Sequence, residues 1–194
     1  MWPWEHFSVS YICYSVAVRA SRRRPPNAVE GYALLFGALF PDLVDKPASW
    51  IFHVFPSGVS VAHSIFVAVP LAVVVLVVGQ RLGRPEFGTG FGVGYLLHLP
   101  QDAVYGTITS GSAPAYRVFL WPIAPKQTSS YGGFLANVRH YFGQYQALLA
   151  DPRTVWFVLF ELLLLSAALS LWIADGAPGW NVVSKRLPTR WLPR

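Results

Sequence analysis

Cysteine is nearly missing from this 194-residue chain, and charged residues are scarce. The single Cys13 excludes an internal disulfide and any metal site of the CxxC type. Its neighbours in "SYICYSVAV" are apolar, so we expect a packed thiol rather than a reactive one. Charged residues make up 12% of the chain, against roughly 25% in soluble domains. With 54% hydrophobic residues, this composition favours a membrane protein.

Basic residues outnumber acidic residues, 15 to 9, which gives a formal net charge of +6. They gather at the ends of apolar segments instead of along one helix face, so membrane lipid is the predicted partner and nucleic acid is not. The first apolar segment lacks a basic n-region and a nearby A-x-A cleavage site, which indicates a retained helix. The G-x-S-x-G and phosphate-loop patterns are missing as well, which argues against serine-hydrolase and nucleotide-binding functions.

Apolar segments predict an all-α integral membrane bundle of about five transmembrane helices. Residues 62–79 and 155–174 are each long and apolar enough to cross a bilayer. Three more polar segments are added to them: 4–20, 28–43 and 87 to about 102. The last of these is rich in glycine, "FGTGFGVGYLLH", and small residues let helices approach closely in lipid. We therefore expect that helix to lie inside the bundle.

Positive charges after the first, third and fifth segments predict the orientation of the chain. The three clusters are Arg19, Arg22, Arg23 and Arg24; Arg81 and Arg84; and Lys185, Arg186, Arg190 and Arg194. Cytoplasmic loops carry the excess of arginine and lysine, so the N-terminus is predicted outside and the C-terminus in the cytoplasm. Residues 1–176 then form a single transmembrane domain, and residues 177–194 form a basic cytoplasmic tail.

The long connection before the last segment contains a predicted interfacial helix. Apolar residues recur at helical spacing in "FLANVRHYFGQYQALLA", residues 134–150, and the opposite face is polar. Such an amphipathic helix is expected to lie on the outer membrane surface or to cover the mouth of the bundle.

Side chains suited to metal binding meet on the predicted outer face. They come from four different segments: His6, Asp42, Asp45, His63, His98 and Asp102. The orientation argument used none of these six residues, so their convergence on one face is an independent observation.

The spacing of these residues suits a divalent metal. His98 and Asp102 lie four residues apart and Asp42 and Asp45 three apart, so each pair shares a helix face. Histidines and carboxylates without thiolates favour a Zn²⁺ site, with Mn²⁺ or Fe²⁺ as alternatives. A metal with an open position lowers the pKa of bound water to about 7. Asp102 or Asp45 is the predicted general base. Pro47 is predicted to end the second helix.

Each residue also has an ordinary structural interpretation. Asp42 and Asp45 can cap a helix end or pair with Lys46, and His63 can cap the third segment. His98 and Asp102 can form a private hydrogen-bonded pair, and a lone histidine near the N-terminus is often interfacial. All of these interpretations must hold at once on one membrane face, which favours the shared site.

The order of motifs resembles the family of LexA-binding, inner-membrane-associated metal-dependent hydrolases. The matching pieces are His6 in "WEHFS", then "FPDLVD", "AHSIF", "GYLLHLPQD" and "FLWP", from about residue 6 to residue 122. The resemblance implies an inner-membrane location, a metal-dependent hydrolase and the same six site residues. Two features depart from the family pattern: the aspartates lie three apart instead of two, and the "HRG" before the histidine–serine motif is missing.

The sequence thus predicts a membrane-embedded metal-dependent hydrolase with its site on the outer face. Its substrate is predicted to contain a phosphoester or related bond, in a lipid or a membrane-associated molecule. The alternative is a non-catalytic metal-binding membrane protein that acts as a structural or regulatory partner. A transporter is disfavoured, because its polar residues should line a route across the membrane, whereas the metal-ligating residues here cluster on one side and Glu161 departs from that clustering.

Overall fold

The computed structural model describes residues 1–124 and 131–180, which form six α-helices and no strand. In chain order the helices are α1 (Pro3–Arg22), α2 (Ala28–Trp50), α3 (Ile65–Arg81), α4 (Pro85–Ser110), α5 (Phe134–Ala150) and α6 (Val155–Ala174). Short 3-10 helices cover Tyr116–Leu120 and Pro152–Thr154. The all-α prediction is confirmed. The predicted basic tail from residue 181 onward lies outside the described residues.

Helix α4 is the central helix, and it packs against α1, α2 and α3. Glycine makes this packing close: a Cβ built on Gly37 of α2 would lie 2.2 Å from the carbonyl oxygen of Phe91. A Cβ on Gly94 of α4 would lie 2.4 Å from the carbonyl oxygen of Leu34. Both separations are impossible for a real side chain, so only glycine lets the two backbones meet here. The interior position predicted for the glycine-rich helix is confirmed.

Helix α6 is attached to α1 through a buried carboxylate at its end. Asp175 accepts hydrogen bonds from the Tyr11 hydroxyl at 2.8 Å and from the Ser15 hydroxyl at 2.6 Å. The Arg19 guanidinium also donates to Asp175. These contacts fix the far end of α6 against α1, over a stretch that begins about 8 Å and ends about 20 Å along that helix from His6.

Among the described residues, one helix is long and apolar enough to cross a membrane: α6 together with the 3-10 turn before it, Pro152–Ala174. Leu163 is 70% exposed there, as expected for a side chain that faces lipid. Helix α3 is also apolar but has 17 residues. Helices α1, α2 and α4 are long enough but carry buried polar and charged side chains. The count of five spans therefore stays a prediction.

Three local predictions were wrong. Helix α2 does not end at Pro47 but continues to Trp50, and the N–H groups of Ile51 and Phe52 bond to the Pro47 carbonyl. Helix α4 continues past the predicted end at residue 102 to Ser110. Cys13 is exposed on the surface of α1 instead of packed in the core. Apolar neighbours in a membrane protein do not separate the core from the lipid-facing surface, because both are apolar.

Helix α5 has the bounds predicted from its amphipathic pattern. Its apolar side is only partly covered: Leu135 is 75% exposed, and Phe142 is also exposed. The buried side chain is the polar Asn137, which donates to the Gly133 carbonyl at 2.8 Å. An apolar face left open by the protein fits the predicted place of α5 at a membrane surface.

Candidate metal centre

The structure brings the six predicted residues together in one buried cluster. His6 comes from the first turns of α1, Asp42 and Asp45 from α2, His63 from the segment before α3, and His98 and Asp102 from α4. The side chains of the three histidines and of Asp45 are fully buried. Such burial is costly for charged groups unless they are paired or bound to a metal.

Asp45 fixes the orientation of the His63 ring. Its carboxylate accepts hydrogen bonds from the backbone N–H groups of Ser60 at 2.8 Å, Ala62 at 3.0 Å and His63 at 3.1 Å. It also lies 2.8 Å from Nδ1 of His63. A carboxylate in contact with three donors is an acceptor, so Nδ1 of His63 carries the proton. In the neutral ring, Nε2 of His63 then has a free lone pair.

His98 is oriented in the same way by the backbone. Its Nδ1 lies 2.7 Å from the carbonyl oxygen of Ala38 on α2. A carbonyl can only accept, so Nδ1 of His98 is protonated and Nε2 of the neutral ring has the free lone pair. The close contact of α2 with α4 at Gly37 and Gly94 makes this bond possible.

Four acceptor atoms converge between the two rings. The Nε2 atoms of His63 and His98 are 3.2 Å apart. Oδ2 of Asp102 lies 3.4 Å from each of them, and Oδ1 of Asp42 lies 3.5 Å from His63 and 4.0 Å from His98. With both rings neutral, no hydrogen stands between these atoms. The arrangement needs either one additional proton on a histidine or a cation.

The distances fit a metal ion. Nitrogen and oxygen ligands about 2.0–2.2 Å from a tetrahedral Zn²⁺ lie roughly 3.3–3.6 Å from one another. The five separations given above run from 3.2 to 4.0 Å. Each ligand also has an outer partner, as metal-binding residues in proteins usually have. His63 has Asp45, His98 has Ala38, and Asp42 accepts a hydrogen bond from Lys46 at 2.5 Å through its other oxygen.

His6 lies at the edge of this cluster. Its ring stacks on that of His98, with centroids 3.7 Å apart and planes at 14°. Its Nε2 is 3.2 Å from Oδ1 of Asp102 but without the alignment of a hydrogen bond, and neither ring nitrogen has a hydrogen-bond partner. Oδ1 of Asp102 also contacts the Met1 amino group at 2.7 Å. His6, His98 and Asp102 offer ligand atoms within 4.8 Å of one another, as do Asp42, His63 and His98.

Asp45 occupies a different place from its five companions. Its oxygens are used by the backbone of the 60–63 segment and by Nδ1 of His63, so it stands behind His63 rather than among the converging atoms. Asp102 is 16% exposed, while Asp45 is fully buried. This geometry favours Asp102 over Asp45 as the proton acceptor and gives Asp45 a positioning role.

Other polar residues near the cluster have partners of their own. Glu161 of α6 accepts a hydrogen bond from Nε1 of Trp4 at 2.7 Å, and Glu5 accepts one from the backbone N–H of Trp2. Glu161 thus pairs inside the bundle through one oxygen, while its buried Oε2 has no hydrogen-bond partner. His53 lies exposed in a loop, and Ser64 rather than His63 caps α3 by accepting from the N–H of Phe66.

Sequence reasoning missed several supports of the site. Tyr95 donates its hydroxyl to the Ala62 carbonyl at 2.7 Å, next to His63. The Ser64 hydroxyl donates to the Trp121 carbonyl at 2.7 Å, which brings the "FLWP" segment over the start of α3. No sequence signal marks the Ala38 carbonyl. Pro41 is the nearest indication, because a proline inside a helix weakens the backbone bonds of the preceding turn.

The fold and the cluster together define an all-helical protein with a buried histidine–carboxylate site assembled from four chain segments. The family model of the YdjM inner membrane protein matches residues 1–177, and the chain belongs to this family. No curated protein and no solved structure matches it. The family confirms the predicted inner-membrane location. Metal dependence, hydrolysis and the orientation of the termini stay predictions.

Proposed function

We propose that this protein is a membrane-embedded hydrolase that uses a divalent metal, preferably Zn²⁺, to cleave a phosphoester or related bond. The substrate is a lipid or another membrane-associated molecule. One observation carries the proposal: two imidazole lone pairs and two carboxylate oxygens converge at 3.2–4.0 Å, while outer partners hold both ring protons on the far side.

The chain's own residues have separable roles in this proposal. His63, His98, Asp42 and Asp102 would hold the ion, and His6 is within reach as a further ligand. When bound, the ion supplies a hydroxide from water at neutral pH. Asp102 is the group that we expect to accept a proton, because its side chain is partly exposed and its Oδ1 lies outside the four converging atoms. To do so, Oδ1 must exchange its contact with the Met1 amino group. Asp45 and Ala38 keep the rings in the required tautomer.

The lipid part of the proposal is supported by exposed apolar groups around the cluster. Trp50 lies one helical turn after Lys46, at the end of α2. Phe52, two residues further along the chain, is 70% exposed. Leu135 follows Phe134, which contacts the Trp50 ring at 6.1 Å between centroids. Apolar side chains left open at the level of the site fit an approach from the membrane rather than from water.

Metal analysis of the purified protein tests the proposal. We expect the wild type to retain zinc after purification and the His98→Asn and Asp42→Asn variants to lose it. His53→Asn is the matched control, because His53 lies in an exposed loop with φ 53°, a conformation that asparagine tolerates. Wild-type protein with Zn²⁺ or Mn²⁺ should hydrolyse generic phosphodiester or ester substrates, and a chelator should abolish this activity.

Unchanged metal content in both site variants would overturn the assignment of the site. A wild type that never takes up metal would overturn the metal dependence and would agree with a hydrogen-bonded network in which one histidine carries an additional proton. Metal binding without hydrolysis of any tested substrate would favour the alternative, a non-catalytic metal-binding protein, over a hydrolase of broad specificity.

A further inference from the structure

Lys46 stands where the cluster is open to solvent. The histidines of the site are fully buried, and the exposed ligand side chains are Asp42, at 10%, and Asp102, at 16%. Lys46 lies one turn after Asp42 on α2, and its side chain is 29% exposed. A molecule that reaches the cluster over Asp42 therefore meets the Lys46 ammonium.

The ammonium is held in position by its surroundings. Nζ of Lys46 donates to Oδ2 of Asp42 at 2.5 Å and lies 5.8 Å from the centroid of the Trp50 ring, within the range of a cation–π contact. The loop backbone packs on the aliphatic stem, since a Cβ built on Gly58 would lie 3.4 Å from Cγ of Lys46. An ammonium has three N–H donors, and Asp42 accepts from one of them. Lys46 is thus a preorganised cation with free donor capacity.

Charge balance gives this lysine a further role. Asp42, Asp45 and Asp102 contribute three negative charges around the site. A divalent ion and the Met1 amino group, which contacts Asp102 at 2.7 Å, balance them, and Lys46 adds one positive charge in excess. Without Lys46, the ion-loaded site would be neutral overall and would attract an approaching anionic group less strongly.

We propose that Lys46 binds the phosphoryl group of the substrate, so that the substrate class is a phosphate ester and not a neutral ester or amide. This inference rests on the proposed function, because the bound ion and Lys46 form the anion site together. Lysine is well suited to the role, since its compact ammonium binds phosphate oxygens as a point charge.

Calorimetric titration of the zinc-loaded, full-length protein with inorganic phosphate tests this role. We expect Lys46→Gln to weaken phosphate binding roughly tenfold to a hundredfold, as for the loss of a charged hydrogen bond. Lys46→Arg keeps the charge and should retain most of the affinity. Arg139→Gln is the control, because it removes an exposed positive charge from α5 and should leave phosphate binding unchanged.

A second titration distinguishes a lipid headgroup from soluble phosphate. Dihexanoyl phosphatidic acid carries the same phosphoryl group on short acyl chains. Tighter binding of this lipid than of inorganic phosphate, with the same loss in Lys46→Gln, would identify a lipid as the source. Equal affinities would identify a soluble phosphate ester.

Zinc content measured on each variant separates the possible failures. Lys46→Gln that keeps zinc and binds phosphate like the wild type overturns the role of Lys46 and leaves the metal site intact. Lys46→Gln that loses zinc makes Lys46 a support of Asp42 and overturns the anion site. A wild type that takes up no zinc overturns the proposed function and this inference with it.

Discussion

At the residue scale, the site depends on contacts that lie one layer outside the converging atoms. Asp45 and the Ala38 carbonyl each hold the proton on Nδ1 of a histidine, and this leaves both Nε2 atoms as acceptors. A buried acceptor without a donor costs about 1–3 kcal/mol. The two buried Nε2 atoms lie 3.2 Å apart, so this pair is destabilising unless a cation or an added proton lies between them.

Replacement of Asp45 by asparagine should weaken metal binding more than it weakens the fold. An amide has one acceptor oxygen in place of two, so it cannot accept from the backbone N–H groups of Ser60, Ala62 and His63 and from the Nδ1–H of the His63 ring as well. His63 then loses its fixed tautomer. We expect the zinc affinity of Asp45→Asn to fall about tenfold to a hundredfold, as is usual for lost outer partners of a metal ligand. Competition with a chromophoric zinc chelator measures this change.

Asp175→Asn is the control for that experiment. Asp175 is also a buried, hydrogen-bonded aspartate, but it joins α6 to α1 at the other end of α1. Its replacement should lower thermal stability and leave zinc affinity unchanged. Equal zinc affinity of Asp45→Asn and the wild type would show that Asp45 does not orient His63 in the loaded protein.

Asp42 and Asp45 have different roles, and their spacing in the sequence does not predict this difference. Their spacing of three placed both on one face of α2, and both are buried beside His63. Their roles differ because the backbone of residues 60–63 returns over Asp45 and supplies it with three N–H donors. The contact of residues 60–63 with Asp45 joins distant parts of the chain, so the spacing of residues within α2 cannot predict it.

At the scale of elements, the site depends on the close contact of α2 with α4. Asp42 comes from one helix and His98 and Asp102 from the other, and the Ala38 carbonyl that orients His98 lies beside the glycine contact. Glycine costs about 0.5–1 kcal/mol relative to alanine inside a helix. Glycine is nevertheless present where the two backbones meet, because any side chain there would move Asp42 on α2 away from His98 and Asp102 on α4.

Gly37→Ala should therefore destabilise the protein although alanine is the better helix former. The added methyl group would lie 2.2 Å from the Phe91 carbonyl, so the helices must move apart. We expect the free energy of unfolding to fall by about 1–3 kcal/mol, the usual cost of overpacking. Unfolding in mixed micelles with increasing SDS, followed by circular dichroism, measures the change. Zinc binding should weaken in parallel.

Gly92→Ala on α4 is the matched control. A Cβ at this position meets Ala72 at 3.7 Å, an ordinary van der Waals contact. We expect this variant to be as stable as the wild type or more stable, by up to about 1 kcal/mol. If both variants had the same stability as the wild type, the contact of α2 with α4 would be looser than the structure indicates.

At the scale of the whole molecule, family membership and the distribution of charge predict how the chain lies in the membrane. Family membership gives the inner membrane, and the helix that ends at Ala174 is long and apolar enough to span it. The positive-inside rule predicts that the end of α3 at Arg81 is cytoplasmic and that the end of α4 at Ser110 is outside. The cluster would then lie near the outer face.

Single-cysteine labelling tests this topology. Cys13→Ser provides a background without cysteine, and Leu82→Cys and Ser110→Cys add exposed thiols at the predicted inner and outer ends. A membrane-impermeant maleimide added to intact cells should label Ser110→Cys and should label Leu82→Cys only after permeabilisation. The reverse pattern would invert the topology, and labelling of both positions in intact cells would contradict a membrane span between them.

The sequence by itself determined the helical class, the bounds of α5, the interior place of the glycine-rich helix and the six residues of the cluster. These properties depend on periodicity, on residue size and on the distribution of charge along the chain, all of which are present in the sequence before folding. Only the tertiary structure decided that Asp45 orients His63 while Asp42 faces the shared centre, and that the Ala38 carbonyl sets the tautomer of His98. The physical reason is that a proton's position on a buried imidazole depends on the atom opposite it, and that atom comes from a distant part of the chain.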